Sequence, residues 1–176
     1  MRYIAAAVLL LASGTVAAQS TNTPIQRGFS DIELGMSLSA SQESLRSDAY
    51  FAYRGEPDVS FSPAGNEPVI QAQGRSFVDS ALFQFEDDEL YIITLVLNQE
   101  RLGYFSVYES LVAQYGEPDS LDPETAVWED DRTTLRLERP LSVKYIDSEI
   151  FARIVAEGVL ERSLEEVTRE QFLEEL

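Results

Sequence analysis

Apolar and polar positions recur in two rhythms along this chain. In Tyr104–Tyr115, Tyr104, Val107, Tyr108, Leu111, Val112 and Tyr115 return at steps of three and four, with Ser106, Glu109, Ser110 and Gln114 between them. That period lays one apolar stripe along an α-helix facing a core. Gly116 follows where the helix has to end, since glycine enters positive φ without a Cβ clash, and Pro118 cannot continue it. The second rhythm has period two. Leu135 and Leu137 alternate with Thr134, Arg136 and Glu138, and Leu141, Val143 and Tyr145 alternate with Ser142 and Lys144. These are strands with one buried and one wet face.

The same rhythms place the other elements. Phe77, Ala81, Phe83 and Phe85 share the odd positions of a strand in which Asp79 is the exception, and Tyr91 to Leu97 is almost wholly apolar. A polar Asp87-Asp88-Glu89 turn joins the two as a hairpin. Ala126 to Glu129 is a further short strand before turns at Asp130-Asp131 and Arg139-Pro140. Ser39 with Gln42 has the capping-box spacing and predicts a helix from about Ala40 to Asp48. Tyr50 to Tyr53 reads as a brief strand. Pro57 to Gly74 reads as a long loop holding Val69 to Ala72 as an edge strand. After Ser148 to Glu157, Gly158 predicts a break, and an acidic helix should run from Ser163 to Leu176. Its imperfect apolar stripe, Leu164, Val167, Phe172, Leu173 and Leu176, is a candidate partner-binding face, set against packing on the protein's own sheet.

Punctuation recurs as well. Glu43-Ser44-Leu45 and then Gly55-Glu56-Pro57-Asp58 parallel Glu109-Ser110-Leu111 and Gly116-Glu117-Pro118-Asp119, and Phe85-Glu86-Asp87-Asp88 parallels Trp128-Glu129-Asp130-Asp131. The fold class is therefore α+β: an antiparallel meander with helices packed on one face, with a tandem repeat of a helix-plus-sheet unit as one reading.

The first residues change the address. Met1-Arg2-Tyr3, the short apolar run Ile4 to Ala12 and Val16-Ala17-Ala18 have the order of a signal peptide, cleaved after Ala18. Expected segments are 1–18 as signal peptide, 19–28 as flexible linker, 29–157 as the α+β domain with halves 29–98 and 99–157, and 158–176 as the acidic tail. With no cysteine there is neither a disulfide nor a lipid-bearing cysteine, and a soluble periplasmic or secreted protein is expected.

Charge and composition then narrow the chemistry. The 176 residues carry a formal charge of −18, with Lys144 the only lysine. Such a surface repels nucleic acid and anionic headgroups; it suits a salt-adapted protein or a basic partner. Without His or Cys, a Ser-His-Asp triad, a thiolate nucleophile and the preferred zinc ligands cannot be built. A Ser-Lys dyad would have to use Lys144, whose strand face Ser142 shares, but Ser-x-Lys on a wet strand reads as surface. The acidic runs Glu86 to Glu89 and Glu129 to Asp131 lack calcium-loop spacing and read as hairpin turns. No cofactor, metal or catalytic residue is expected. Trp128 reads as a core or sheet-edge anchor.

Ile32-Glu33-Leu34-Gly35-Met36-Ser37, followed by a short helix and Gly55-Glu56-Pro57, resembles the SmpA/OmlA family of small envelope proteins. That resemblance implies a fold similar to the β-lactamase-inhibitor protein and a non-enzymatic binding module. The expected function is protein–protein interaction with another envelope protein. Inhibition of an exported hydrolase, or binding of a small molecule or cation, are the alternatives.

Overall fold

A computed structural model describes residues 23–61 and 67–158. The predicted signal peptide and the helix from Ser163 to Leu176 lie outside the described residues.

The period-two segments build one nine-stranded antiparallel sheet. Its strands are β3 (Phe51–Ala52), β4 (Val59–Phe61), β5 (Pro68–Gly74), β6 (Val78–Glu86), β7 (Glu89–Leu97), β8 (Ser120–Leu121), β9 (Thr125–Glu129), β10 (Thr133–Glu138) and β11 (Ser142–Asp147). They lie in the order β3-β5-β6-β7-β11-β10-β9-β8, with β4 also on β5. Two meanders, β5-β6-β7 and β9-β10-β11, thus meet where β7 and β11 pair antiparallel, Ile92 opposite Ile146 and Val96 opposite Ser142. Each meander follows a helix: α1 (Leu38–Ser47) precedes the first and α2 (Tyr104–Tyr115) the second.

Register puts Phe83, Ile93, Tyr145, Leu135 and Trp128 in one row across five strands, all buried on the same face. Leu45 of α1 and Leu111 and Tyr115 of α2 join that core. A third helix, α3, occupies residues 148–158 and starts against the other face. Ile146 and Ile150 are buried there, outside the main cluster, and Phe151 shares a cavity with Ile146, Thr134 and Val127. Residue 158, expected as a break, is still helical.

The chain before α1 is a strap rather than a loose linker. Ile25 is buried and its N–H donates to Asp130 Oδ2 at 2.8 Å, while Arg27 pairs with Asp147 at 2.6 Å. The short hairpin β1 (Gly28–Phe29) and β2 (Ile32–Glu33) follows. The strap then exchanges backbone bonds with the start of β7, Gly35 N–H to Leu90 O at 2.8 Å and Leu90 N–H to Met36 O at 2.9 Å. Ile25, Ile32 and Leu34 are what the strap adds to the core.

Other differences have local causes. Ser37, not Ser39, caps α1: its Oγ accepts from Ala40 N–H at 3.2 Å, while the Ser39 hydroxyl bonds to that of Ser37. Pro57 to Gly74 is not a single loop, because β4 pairs with β5 and so makes β5 an interior strand. Phe77 is exposed rather than inward. The register shift between Val78 and Ser80 leaves Asp79 as an extra residue, which puts Val78 inside and accounts for the break in alternation.

The two Gly-Glu-Pro-Asp segments share a backbone conformation at glycine, but only Gly116 ends a helix; α1 already ends at Ser47, and Gly55 follows β3 and opens a single 3-10 turn. Gly55 has φ 89° and ψ −137°, and Gly116 has φ 89° and ψ −171°. Side-chain-bearing residues avoid that region, although an added Cβ would meet nothing within 4 Å at either site. Gly55→Ala and Gly116→Ala are each expected to cost about 1–3 kcal/mol in urea unfolding through backbone strain alone.

Candidate functional site

The predicted partner-binding residues Leu164, Val167, Phe172, Leu173 and Leu176 lie outside the described residues. Within them, α2 and the edge strand β8 form a different surface. The helical stripe turns Tyr104 and Tyr108 partly inward, but Phe105 sits one step off it, beside Ser106 and Glu109, and is 67% exposed. On β8, Leu121 lies opposite buried Ala126, on the helix side of the sheet, and is 62% exposed. Phe105 and Leu121 converge with Tyr104, Tyr108, Pro123 and Arg139 on a groove of about 590 Å³.

The rings run from core to solvent. Trp128, 2% exposed, lies 6.0 Å from Tyr108, whose ring stacks on Phe105 at 6.4 Å and 21°. The Trp128 indole donates to Gly116 O at 2.8 Å, joining β9 to the helix stop. Arg139 lies 4.1 Å over the Tyr104 ring while its Nε donates to Pro123 O at 2.9 Å. Such a cation–π pair holds a guanidinium against an apolar wall. Burial, with some relief from Arg139, raises the Tyr104 pKa. Desolvation and the Glu117 carboxylate raise that of Tyr108, so both phenols stay neutral. Carboxylates rim the groove. Tyr108 OH donates to Glu117 at 3.4 Å, and Asp122 and Glu124 act on Tyr104 from the β8–β9 turn. The sequence signal for this surface was Phe105 itself, an aromatic on the polar side of an otherwise regular stripe. Its meaning needed β8, too short to be read from pattern.

A second cleft, of about 420 Å³, lies between the strap and Trp128 and holds Glu117, Asp119, Glu129, Asp130 and Asp131. Two of these carboxylates cap the backbone: Asp119 accepts from Glu129 N–H, and Asp130 from the N–H groups of Ile25, Arg132 and Thr133. No group of three or more acidic residues suited to hold a metal occurs among the described residues. Lys144 is engaged by Glu138 at 2.6 Å, which leaves Ser142 beside an ion-paired lysine rather than a free base.

Residues 27–157 match the family model of the TP0088 domain. The chain belongs to that family. No curated protein and no solved structure matches it. The TP0088 domain here runs from Arg27, the residue that pins the strap, to residue 157 in α3, and contains the whole sheet and every residue of the groove. No helix among the described residues is long and apolar enough to cross a membrane.

Acidic groups of this TP0088 domain divide by sign. Burial acts to raise Asp147, but N–H bonds from Ile150 and Glu149 and the Arg27 guanidinium outweigh it and hold the carboxyl below its ordinary 3.8. Asp130 is lowered in the same way by three backbone N–H groups against burial. Their stabilisation is present above the unfolded pKa and is lost as pH falls through the folded one. Glu86 is raised, first by desolvation and then by Glu67, Asp87 and Glu157, so its contribution is complete below its unfolded value and lost as pH rises. Melting temperature is therefore expected to rise modestly from pH 7 to about pH 5 and to fall steeply below about pH 4. Glu86→Gln should flatten the rise, as followed by circular dichroism.

Proposed function

We propose that this TP0088-domain protein is an exported, non-enzymatic protein–protein interaction module of the bacterial cell envelope. The observation that carries the reading is the groove between α2 and β8, where Phe105 and Leu121 present large apolar surface to solvent. Exposed apolar groups gathered in a concave site with a polar rim favour recognition, whereas scattered ones need no explanation. The signal-peptide pattern supports export, and the absence of His and Cys from the sequence argues against common catalytic schemes. The resemblance to small envelope proteins of the SmpA/OmlA type points the same way.

We read the two helix-plus-meander units as a tandem repeat. The equal order of elements about the β7–β11 pair and the matched positive φ of Gly55 and Gly116 support this. The test of function is affinity capture from native envelope extract with three forms: intact protein, a form lacking Ser163 to Leu176, and Phe105→Ser/Leu121→Ser. A specific protein retained by the first two and lost with the third is expected. Retention by all three would contradict docking through the groove, and loss on truncation alone would move the site to the C-terminal stripe.

A further inference from the structure

The groove also constrains the chemistry of what it takes. Its floor is aromatic and aliphatic, its one cation among the described residues, Arg139, is committed to the Tyr104 ring and Pro123 O, and exposed Glu117, Asp122 and Glu124 stand around it. Its outer wall, β8, ends the sheet as an edge strand. An added strand turns alternate side chains to opposite sides, so that one set can enter a pocket and the next can meet the rim. With only Ser120 and Leu121 in β8, backbone pairing is short and side-chain anchors have to supply most of the affinity.

The first unit acts as an internal control. Aligning Leu45 with Leu111, both buried on their helices, sets Ser39 against Phe105 and Gln42 against Tyr108. The same unit is thus built without aromatic side chains at these places. Packing of the unit does not demand Phe105, which is left with a surface role.

We infer that the groove binds an extended segment of a partner protein in which bulky apolar residues alternate with Lys or Arg. This rests on the reading of the chain as an interaction module. A second copy of this chain is the poorer occupant, since each copy brings a formal charge of −18. Charge complementarity of this kind steers encounter and rejects like-charged partners, while the buried apolar anchor holds the complex.

The probe is a pair of short synthetic peptides of equal length, with Leu and Phe alternating with Lys and Arg in one and with Glu in the other. Binding to the full chain is followed by fluorescence anisotropy. The basic peptide is expected to bind, to weaken as salt rises, and to lose about tenfold in affinity on Phe105→Ser/Leu121→Ser, which leaves net charge unchanged. Phe61→Ser, an exposed aromatic away from the groove, should leave it unaltered. Basic-peptide binding insensitive to Phe105→Ser/Leu121→Ser overturns the inference as a non-specific charge effect, as does failure of both peptides to bind. Tighter binding of the acidic peptide, still lost with the two serines, overturns the basic partner but keeps the docking groove. A dimer seen in sedimentation and dispersed by the same substitutions overturns it in favour of self-association.

Discussion

Trp128→Ala is expected to cost about 3–5 kcal/mol in urea unfolding, the range for removing a fully buried large aromatic side chain. The loss has two sources. The buried indole packs from β9 onto Tyr108 of α2, so truncation leaves a cavity that the close-packed strands and helix around it can fill only in part. It also strips Gly116 O of its donor at the residue whose positive φ ends α2. Trp128→Phe separates the two, since it keeps most of the bulk and removes only the N–H; a smaller loss is expected. Equal losses would mean that the hydrogen bond, not the volume, anchors the helix stop. Because Tyr108 bridges Trp128 to Phe105, the alanine variant should also weaken whatever the groove binds, even after correction for the unfolded fraction.

Asp147→Ala is expected to cost about 2–4 kcal/mol, because one carboxylate serves three elements. Oδ1 accepts the N–H groups of Glu149 and Ile150 and so caps α3, and Oδ2 pairs with Arg27 at 2.6 Å. Losing an N-cap costs about 1 kcal/mol. Leaving a mostly buried guanidinium without its partner adds more, although Arg27 also donates to Arg132 O and Thr133 Oγ1. Asp147→Asn retains a capping oxygen and loses the charge, so its loss should be smaller and its acid-unfolding midpoint less sharply defined. Hydrogen exchange should show earlier opening of Ile25 and of the first turn of α3 in Asp147→Ala. If only α3 opens, the strap is held by Asp130 and the β7 exchange instead.

What pattern could carry was the sheet interior and α2. Period two identified β6, β10 and β11 because each has one dry face, β7 showed as an almost wholly apolar run, and the three-four period with Gly116-Glu117-Pro118 identified α2 and its end. The strap was not legible. Ile25, Ile32 and Leu34 are spaced among polar residues, and they are buried only because the distant start of β7 at Leu90 and the turn at Asp130 receive the strap. β4 and β8 were missed for a related reason, since strands of three and two residues have too few positions to display a period. Phe77 misled because a bulge at Asp79 shifts the phase of its strand by one residue. The groove inherits these gaps. Its aromatic half was visible in α2, and its other half stands on a strand that exists only through pairing with β9.

The most direct test of a docking groove is photo-crosslinking from inside it. A photoreactive phenylalanine analogue at position 105, in the protein expressed in its native envelope, is expected to yield one discrete adduct with another protein; the analogue at the exposed position 61 should yield none. An adduct from 61 and not from 105, or no adduct from either, would contradict the account.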